Sequence, residues 1–381
     1  MVNSQKIHPL MIRVITCTLC LTHDCTLRCR YCYAGRKYSH AMTRETAQRA
    51  IDIVFDEARA TGSSADISFF GGEPLMEWEL LQWCYDYAQS RAGELIAPPR
   101  FGLTTNGTLL TAEKLNWLAE RDFLIGISID GSPAMHNTNR RRPDGTGSHA
   151  DVAQALQLIE QHPRVRSQAI CVVTPNNVQH LSEGLEWLSS HYSGTIGLNI
   201  DYWSEWSDED FDTLTSQYAL VTEQVARSYR TGQPILLRNI DDKIATHLHE
   251  SDDDCVHCRI GEREIAVSVD GNFFPCSRLV GDGDKEELNF GNVTDGINRA
   301  RQQYIIATRG CSTPACKLCS LRNRCTNSCG CTNYASSGKL NEVSAFLCCS
   351  EKLFINTADQ LAEQLYEEKN PAFMKRFYDF S

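Results

Sequence analysis

Six short apolar runs, at 12–21, 66–70, 100–105, 124–129, 165–173 and 196–202, alternate with amphipathic segments at 43–60, 77–91, 111–121, 150–161, 178–190 and 208–229. The runs have the length and composition of strands, and the longer segments between them carry helical spacing. A strand that returns to its sheet through a helix lies parallel to its predecessor, because the crossover brings the chain back to the same end. Six such units predict an α/β fold, a partial (β/α)6 TIM-type barrel open enough to admit a large substrate. A doubly wound open sheet fits the same alternation. In either fold the chemistry belongs in the loops after the strand C-termini.

Those loops carry the chain's most specific motifs. After the first run come Cys25, Cys29 and Cys32, spaced C-x3-C-x2-C; Gly71-Gly72-Glu73-Pro74 follows the second. Thr105-Asn106-Gly107 follows the third and Ser128-Ile129-Asp130-Gly131 closes the fourth. Three thiolates can hold three irons of a [4Fe-4S] cube and leave the fourth iron open to a small molecule, which points to catalysis rather than simple electron carriage. A structural zinc site wants four ligands, and no fourth Cys or His follows within the next several residues. The glycine pair allows a sharp turn that brings backbone carbonyls to a ligand amine, with Glu73 supplying negative charge.

The chain of 381 residues has no run of ~18 apolar residues and no signal-peptide apolar region at its N-terminus. A cytoplasmic location is therefore expected, where its 18 cysteines would serve as ligands or core rather than disulfides. The net charge of -11 argues against nucleic-acid and anionic-membrane partners, and Arg140-Arg141-Arg142, the only basic run, is expected to be a solvated loop. Cys17, Cys20, Cys84 and Cys171 are expected as core residues, and Cys311 carries no signal.

Near residue 236 the pattern changes to a cysteine-dense region. Cys316, Cys319, Cys325 and Cys329 run C-x2-C-x5-C-x3-C; Cys255, Cys258 and Cys276 lie upstream and Cys348-Cys349 downstream. Within it 264–275 predicts a hairpin around Asp270-Gly271. His247, His249 and His257 are expected at the surface or behind the ligands. The chain closes on a helical pattern. The expected divisions are 1–235, 236–354 and 355–381.

The segment Cys25-Thr26-Leu27-Arg28-Cys29-Arg30-Tyr31-Cys32, together with Gly71-Gly72-Glu73-Pro74, resembles the radical S-adenosylmethionine (SAM) superfamily. The second cysteine group resembles the SPASM domain of its peptide- and sulfatase-maturing members. The resemblance implies that SAM chelates the open iron and is cleaved by one electron to a 5'-deoxyadenosyl radical, which abstracts a substrate hydrogen. It implies SAM contacts at Tyr31, Gly71, Gly72, Glu73 and Pro74, ribose contacts at Ser128 and Asp130, and methionyl or substrate contacts at Asn106 and Arg140.

It also implies three [4Fe-4S] clusters. Cys25, Cys29 and Cys32 would hold the SAM-binding one; Cys255, Cys258, Cys276 and Cys329 the first auxiliary; Cys316, Cys319, Cys325 and Cys348 the second. Cys349 competes with Cys348, and Cys331 with the first auxiliary set; a spare Cys255 would leave that cluster open to substrate. A pair of four-thiolate zinc sites is the other account of these eight cysteines.

For activity, the resemblance implies a maturase that installs a thioether or carbon–carbon crosslink in a ribosomally made precursor peptide. The alternative is an anaerobic sulfatase maturase forming formylglycine. Relatives of the latter kind carry an Asp directly after the hairpin cysteine as a base; this chain has Ser277 there, which favours the crosslink and leaves no base identified. A non-catalytic iron–sulfur carrier or zinc adaptor is the reading from another class. Implied partners are the precursor, an electron donor such as flavodoxin or ferredoxin, and a separate leader-binding protein. Only 24 residues precede Cys25, too few for a winged-helix leader-binding module.

Overall fold

The structure, a computed structural model, describes residues 13–248, 259–282, 285–310 and 313–379. Cys255, Cys258, Cys311, His249 and His257 lie outside the described residues.

All six expected βα units form. They are β1 (Val14–Cys20) with α1 (Arg44–Ala60), β2 (Ser64–Phe70) with α2 (Trp78–Ser90), and β3 (Phe101–Thr105) with α3 (Ala112–Glu120). After β4 (Leu124–Ser128) come α4 (Pro133–Asn139) and α5 (His149–Gln161); β5 (Arg166–Val173) leads to α6 (Leu181–His191), and β6 (Thr195–Ile200) to α7 (Asp208–Arg230). These six strands pair in parallel in consecutive order. A doubly wound sheet would reverse order at a switch point; this one does not, and the barrel-type reading holds.

The inward positions explain the winding. Cys17, Leu19, Ile67, Phe69, Ile125, Ile127, Ala169 and Cys171 are all buried on the strands. On α1, Ala47, Ala50, Ile51, Val54, Phe55 and Ala58 form one apolar stripe at helical spacing. Thr43 starts that helix by accepting the Thr46 N–H, and Ser207 with Asp210 forms a capping box on α7. Cys20 and Cys84 complete the core as expected.

Past α8 (Arg238–Leu248) the expected hairpin forms as β7 (Glu264–Val267) and β8 (Phe273–Phe274), turning at Gly271, whose φ of 82° suits glycine. It does not stand apart. β7 pairs in parallel with β1, Thr16 to Leu19 against Glu264 to Val267, and so extends the barrel sheet to eight strands. A small ribbon, β9 (Gly291–Asn292) and β10 (Gly296–Ile297), then precedes α9 (Arg299–Thr308), α10 (Pro314–Lys317) and α11 (Gly330–Ser337).

Two expectations need correction. The division at 354/355 falls inside α12 (Ala345–Glu367), a continuous helix that places Cys348 and Cys349 in its first turn; α13 (Pro371–Phe377) follows. Phe354 of α12 packs on Tyr218 of α7, ring centroids 4.6 Å apart, so this helix is core to both halves. The Arg140-Arg141-Arg142 run is not a solvated loop either: Arg140 is buried in an ion pair, Arg141 donates to Asn137 O, and Arg142 reaches Asp151. Among the described residues no helix is long and apolar enough to cross a membrane.

Candidate active site at the barrel mouth

The loop between β1 and α1 carries Cys25, Cys29 and Cys32, and it is clamped from both sides. From the β2 turn, Gly72 N–H donates to Thr22 O at 2.7 Å and Glu73 N–H to Asp24 O at 2.8 Å. The approach is so close that a Cβ on Gly72 would sit 1.9 Å from Asp24 O. From the other side, Arg28 N–H donates to Arg141 O at 2.6 Å and Arg30 N–H to Asn139 O at 3.1 Å.

Glu73 was expected to present charge to a ligand amine. Its carboxylate instead lies fully buried, accepting the Leu75 N–H, the Thr105 hydroxyl at 2.7 Å and the Asn106 N–H at 2.8 Å. It latches the β2 turn to the β3 turn, and burial pushes its pKa up against those bonds. Asn106 is likewise occupied: its Nδ2 donates to Thr26 Oγ1 at 3.1 Å and to Cys25 Sγ at 3.5 Å. It backs the first cysteine rather than reaching into the mouth.

Asp130 and Arg140 also turn toward each other. Asp130 accepts Arg140 Nε and Nη2, both at 2.9 Å, the Tyr31 hydroxyl at 2.9 Å and the Val172 N–H at 2.8 Å. Four donors fill the lone pairs of a carboxylate, so a ribose hydroxyl would have to displace one of them. The buried Asp130–Arg140 pair pins the half-buried Tyr31, between Cys29 and Cys32, to the ends of β4 and β5; the Arg140 guanidinium lies 5.3 Å from the Tyr31 ring centroid. Ser128, at the end of β4, keeps a partly exposed side chain.

Cys25 and Cys29 are partly buried and Cys32 is exposed. Burial pushes the Cys25 thiol up to about 11 and the Cys29 thiol to about 12, the latter against the pull of Arg140. Such thiols stay neutral near pH 7 until a metal replaces the proton. Three cysteines on one loop, with an N–H from Leu27 and the Asn106 amide directed at Cys25 Sγ, fit three-point ligation of an iron–sulfur cube.

Beside Cys32 opens a cavity of about 360 Å³ that also takes in Tyr31, Asp201, Trp203, Asp282 and Lys285. Of these, sequence reasoning singled out Tyr31 but not Asp201, Trp203, Asp282 or Lys285. Asp201 and Trp203 directly follow β6, and the expected strand, drawn to 202, had hidden that strand end. Burial raises the Asp201 pKa, opposed by hydrogen bonds from Ser204 and the Trp203 N–H. The Trp203 indole N–H is buried with no acceptor among the described residues. Lys285 Nζ stands 4.5 Å from the Trp203 ring centroid.

Two further thiol groups sit in the cysteine-rich half. Cys316, Cys319, Cys325 and Cys348 line one cavity of about 110 Å³, whereas Cys349 is exposed. Four thiols facing one small cavity are a donor set suited to a fully ligated cluster. Cys276 and Cys329 approach each other with Cys331 between them; Cys329 and Cys331 Sγ lie 3.4 Å apart.

Residues 19–188 match the model of the radical SAM superfamily. An uncharacterized protein of Methanocaldococcus jannaschii is 29% identical over 180 residues, 47% of this chain and 60% of that one. A cysteine-type anaerobic sulfatase-maturating enzyme of Clostridium perfringens is 24% identical over 295 residues, covering 71% of this chain and 75% of that enzyme. Among solved structures, polyhistidine-tagged anSMEcpe with bound AdoMet superposes with a TM-score of 0.76 at 20% identity, over 97% of this chain and 100% of the other. Streptococcus suis SuiB bound to precursor peptide SuiA superposes at 0.62 and 12% identity, over 88% and 76%. The matched stretch contains the cysteine loop and the turns after β2, β3 and β4, so the match falls on the site itself, and residues 19–188 are a radical SAM domain.

Proposed function

We propose that this enzyme modifies a peptide, removing hydrogen from a residue of a ribosomally made precursor so that a thioether or carbon–carbon crosslink closes there. SAM supplies the 5'-deoxyadenosyl radical for such an abstraction when held at an open iron. Cys25, Cys29 and Cys32 would hold the cluster, the Gly71-Gly72 backbone the methionyl amine, and Ser128 a ribose hydroxyl. The cavity past Cys32 suits a polar backbone. The Trp203 indole can donate to a peptide carbonyl, and Asp201 can accept a peptide N–H or a proton. The reading includes three clusters, the auxiliary ones on Cys255, Cys258, Cys276 and Cys329 and on Cys316, Cys319, Cys325 and Cys348. It also includes a cytoplasmic location and an outside electron donor such as flavodoxin or ferredoxin.

One observation carries the crosslink over formylglycine. At the place where sulfatase-maturing relatives have a carboxylate base, Ser277 donates both its N–H and its hydroxyl to Glu264 Oε1, at 3.1 and 3.3 Å. That side chain is spent on bracing the hairpin. Formylglycine formation remains the second reading, favoured by the similarity to sulfatase-maturating enzymes over most of the chain.

The test supplies anaerobically reconstituted protein with SAM, dithionite and either a candidate precursor or a sulfatase-derived Cys peptide. A product two hydrogens lighter that does not react with a hydrazide supports the crosslink. Hydrazide-reactive aldehyde from the Cys peptide overturns it in favour of the second reading.

A further inference from the structure

Arg278 has an unusual set of neighbours. Its guanidinium is stacked 5.8 Å from the ring centroid of Tyr33, the residue after Cys32. Its Nη1 lies 4.0 Å from Cys331 Sγ and donates to Thr332 Oγ1 at 3.4 Å. Cys276 and Cys329 complete its surroundings. No carboxylate among the described residues comes within 4.0 Å of it to form an ion pair. A partly buried cation is retained only where some anion offsets its desolvation, and the groups nearest it that can become anions are the thiols of Cys331, Cys276 and Cys329 and the Tyr33 phenol, with the Asp201 carboxylate beyond ion-pair distance.

The thiols are arranged as a seat. Cys331 is hydrogen-bonded to both Cys276 and Cys329, and the Thr332 hydroxyl donates to Cys329 Sγ at 3.2 Å. Cys276 and Cys331 are buried at 6% and 4% exposure, on the hairpin and at the start of α11. Hydrogen bonds aimed at sulfur and a fixed positive charge are the features by which a protein tunes an iron–sulfur centre.

We propose that Cys331 joins Cys276 and Cys329 as ligands of an iron–sulfur centre, and that Arg278 is its built-in counter-cation. The inference rests on the auxiliary-cluster reading above but adds a ligand and a charge that reading does not assign. Reduction adds negative charge to such a centre, and a guanidinium at contact distance stabilises that form. Arg278 therefore holds the centre's midpoint potential up. Because Tyr33 is stacked on the same guanidinium, the seat also lies next to the radical-generating loop.

The experiment uses the full chain, purified and reconstituted anaerobically. Iron and sulfide counts with Mössbauer spectra are compared for wild type, Cys331→Ser and Cys349→Ser, and EPR-monitored redox titrations for wild type, Arg278→Gln and Arg278→Lys. Cys331→Ser is expected to lose or alter one centre, while Cys349→Ser, at an exposed thiol, keeps wild-type counts. Arg278→Gln is expected to shift one midpoint potential negative, with Arg278→Lys recovering part of the shift. Unchanged iron content and spectra in Cys331→Ser would remove the ligand. Unchanged potentials in both Arg278 variants would remove the counter-cation; Arg278→Lys, which keeps the charge, covers the case where Arg278→Gln does not fold. None of these readouts needs a peptide, so they stand or fall apart from the crosslinking assay.

Discussion

Asp130, expected to contact a ribose, is held instead by donors from the protein itself. Its place after β4 marked it as part of the mouth, but sequence carries no sign that Arg140, ten residues later, folds back onto it. Removing the carboxylate leaves a guanidinium of 5% exposure without its partner. Asp130→Ala should therefore cost about 3–5 kcal/mol, read as a lower unfolding midpoint of the holoprotein. Arg140→Lys should fare little better, because a single ammonium cannot replace two parallel N–H bonds. Asn106 makes a separate prediction. Asn106→Ala removes the amide directed at Cys25 Sγ and should weaken iron retention or SAM cleavage by roughly 10–100-fold. Iron release to a chelator and 5'-deoxyadenosine formation measure this; equal rates in variant and wild type would leave that amide a purely local role.

Among the elements, the six strands and their helices were legible because period-2 and period-3.6 patterns alternate cleanly along 12–232. The misses have physical reasons. At seven residues α4 is too short to show periodicity, and its evidence is a Ser132 cap with Pro133 in the first turn. Helix α8 mixes Asp241 and Lys243 into its apolar face, which masks its stripe. Those charges are used inside. Lys243 pairs with Glu351 of α12 at 2.7 Å, and Asp241 with Arg376 of α13 at 2.7 Å. Burial raises the Asp241 pKa from 3.8 to about 6, outweighing the pull of Arg376. Since the folded state holds this proton more tightly than the unfolded chain, its contribution to stability falls as pH rises from about 4 to 6 and is constant above. The loss is at most about 3 kcal/mol. Asp241→Asn should remove that component, so the stability difference between variant and wild type should grow in the variant's favour between pH 4 and 6. A difference independent of pH in denaturant titrations would contradict the assignment.

At the level of the whole molecule, the cysteine spacings set two groups of thiols apart along the chain but gave no sign that the halves share one sheet. The hairpin holding β7 had a local signature, but its parallel pairing with β1 has none, because that register is set by β1 and not by the strand's own neighbours. A chain cut after residue 235 would expose the β1 edge and the apolar faces of α7 that α12 covers. Such an edge invites pairing with other chains, so this fragment should aggregate on expression where the full chain stays dispersed in size-exclusion chromatography.

The four register pairs between Thr16 and Leu19 of β1 and Glu264 and Val267 of β7 also fix how far the mouth lies from the thiols beyond it. A separation set by backbone ladder rather than by a hinge does not fluctuate with the medium. Any tunnelling between the two ends should then proceed at the same rate in buffer and in glycerol. Viscosity would slow only the arrival and departure of the peptide.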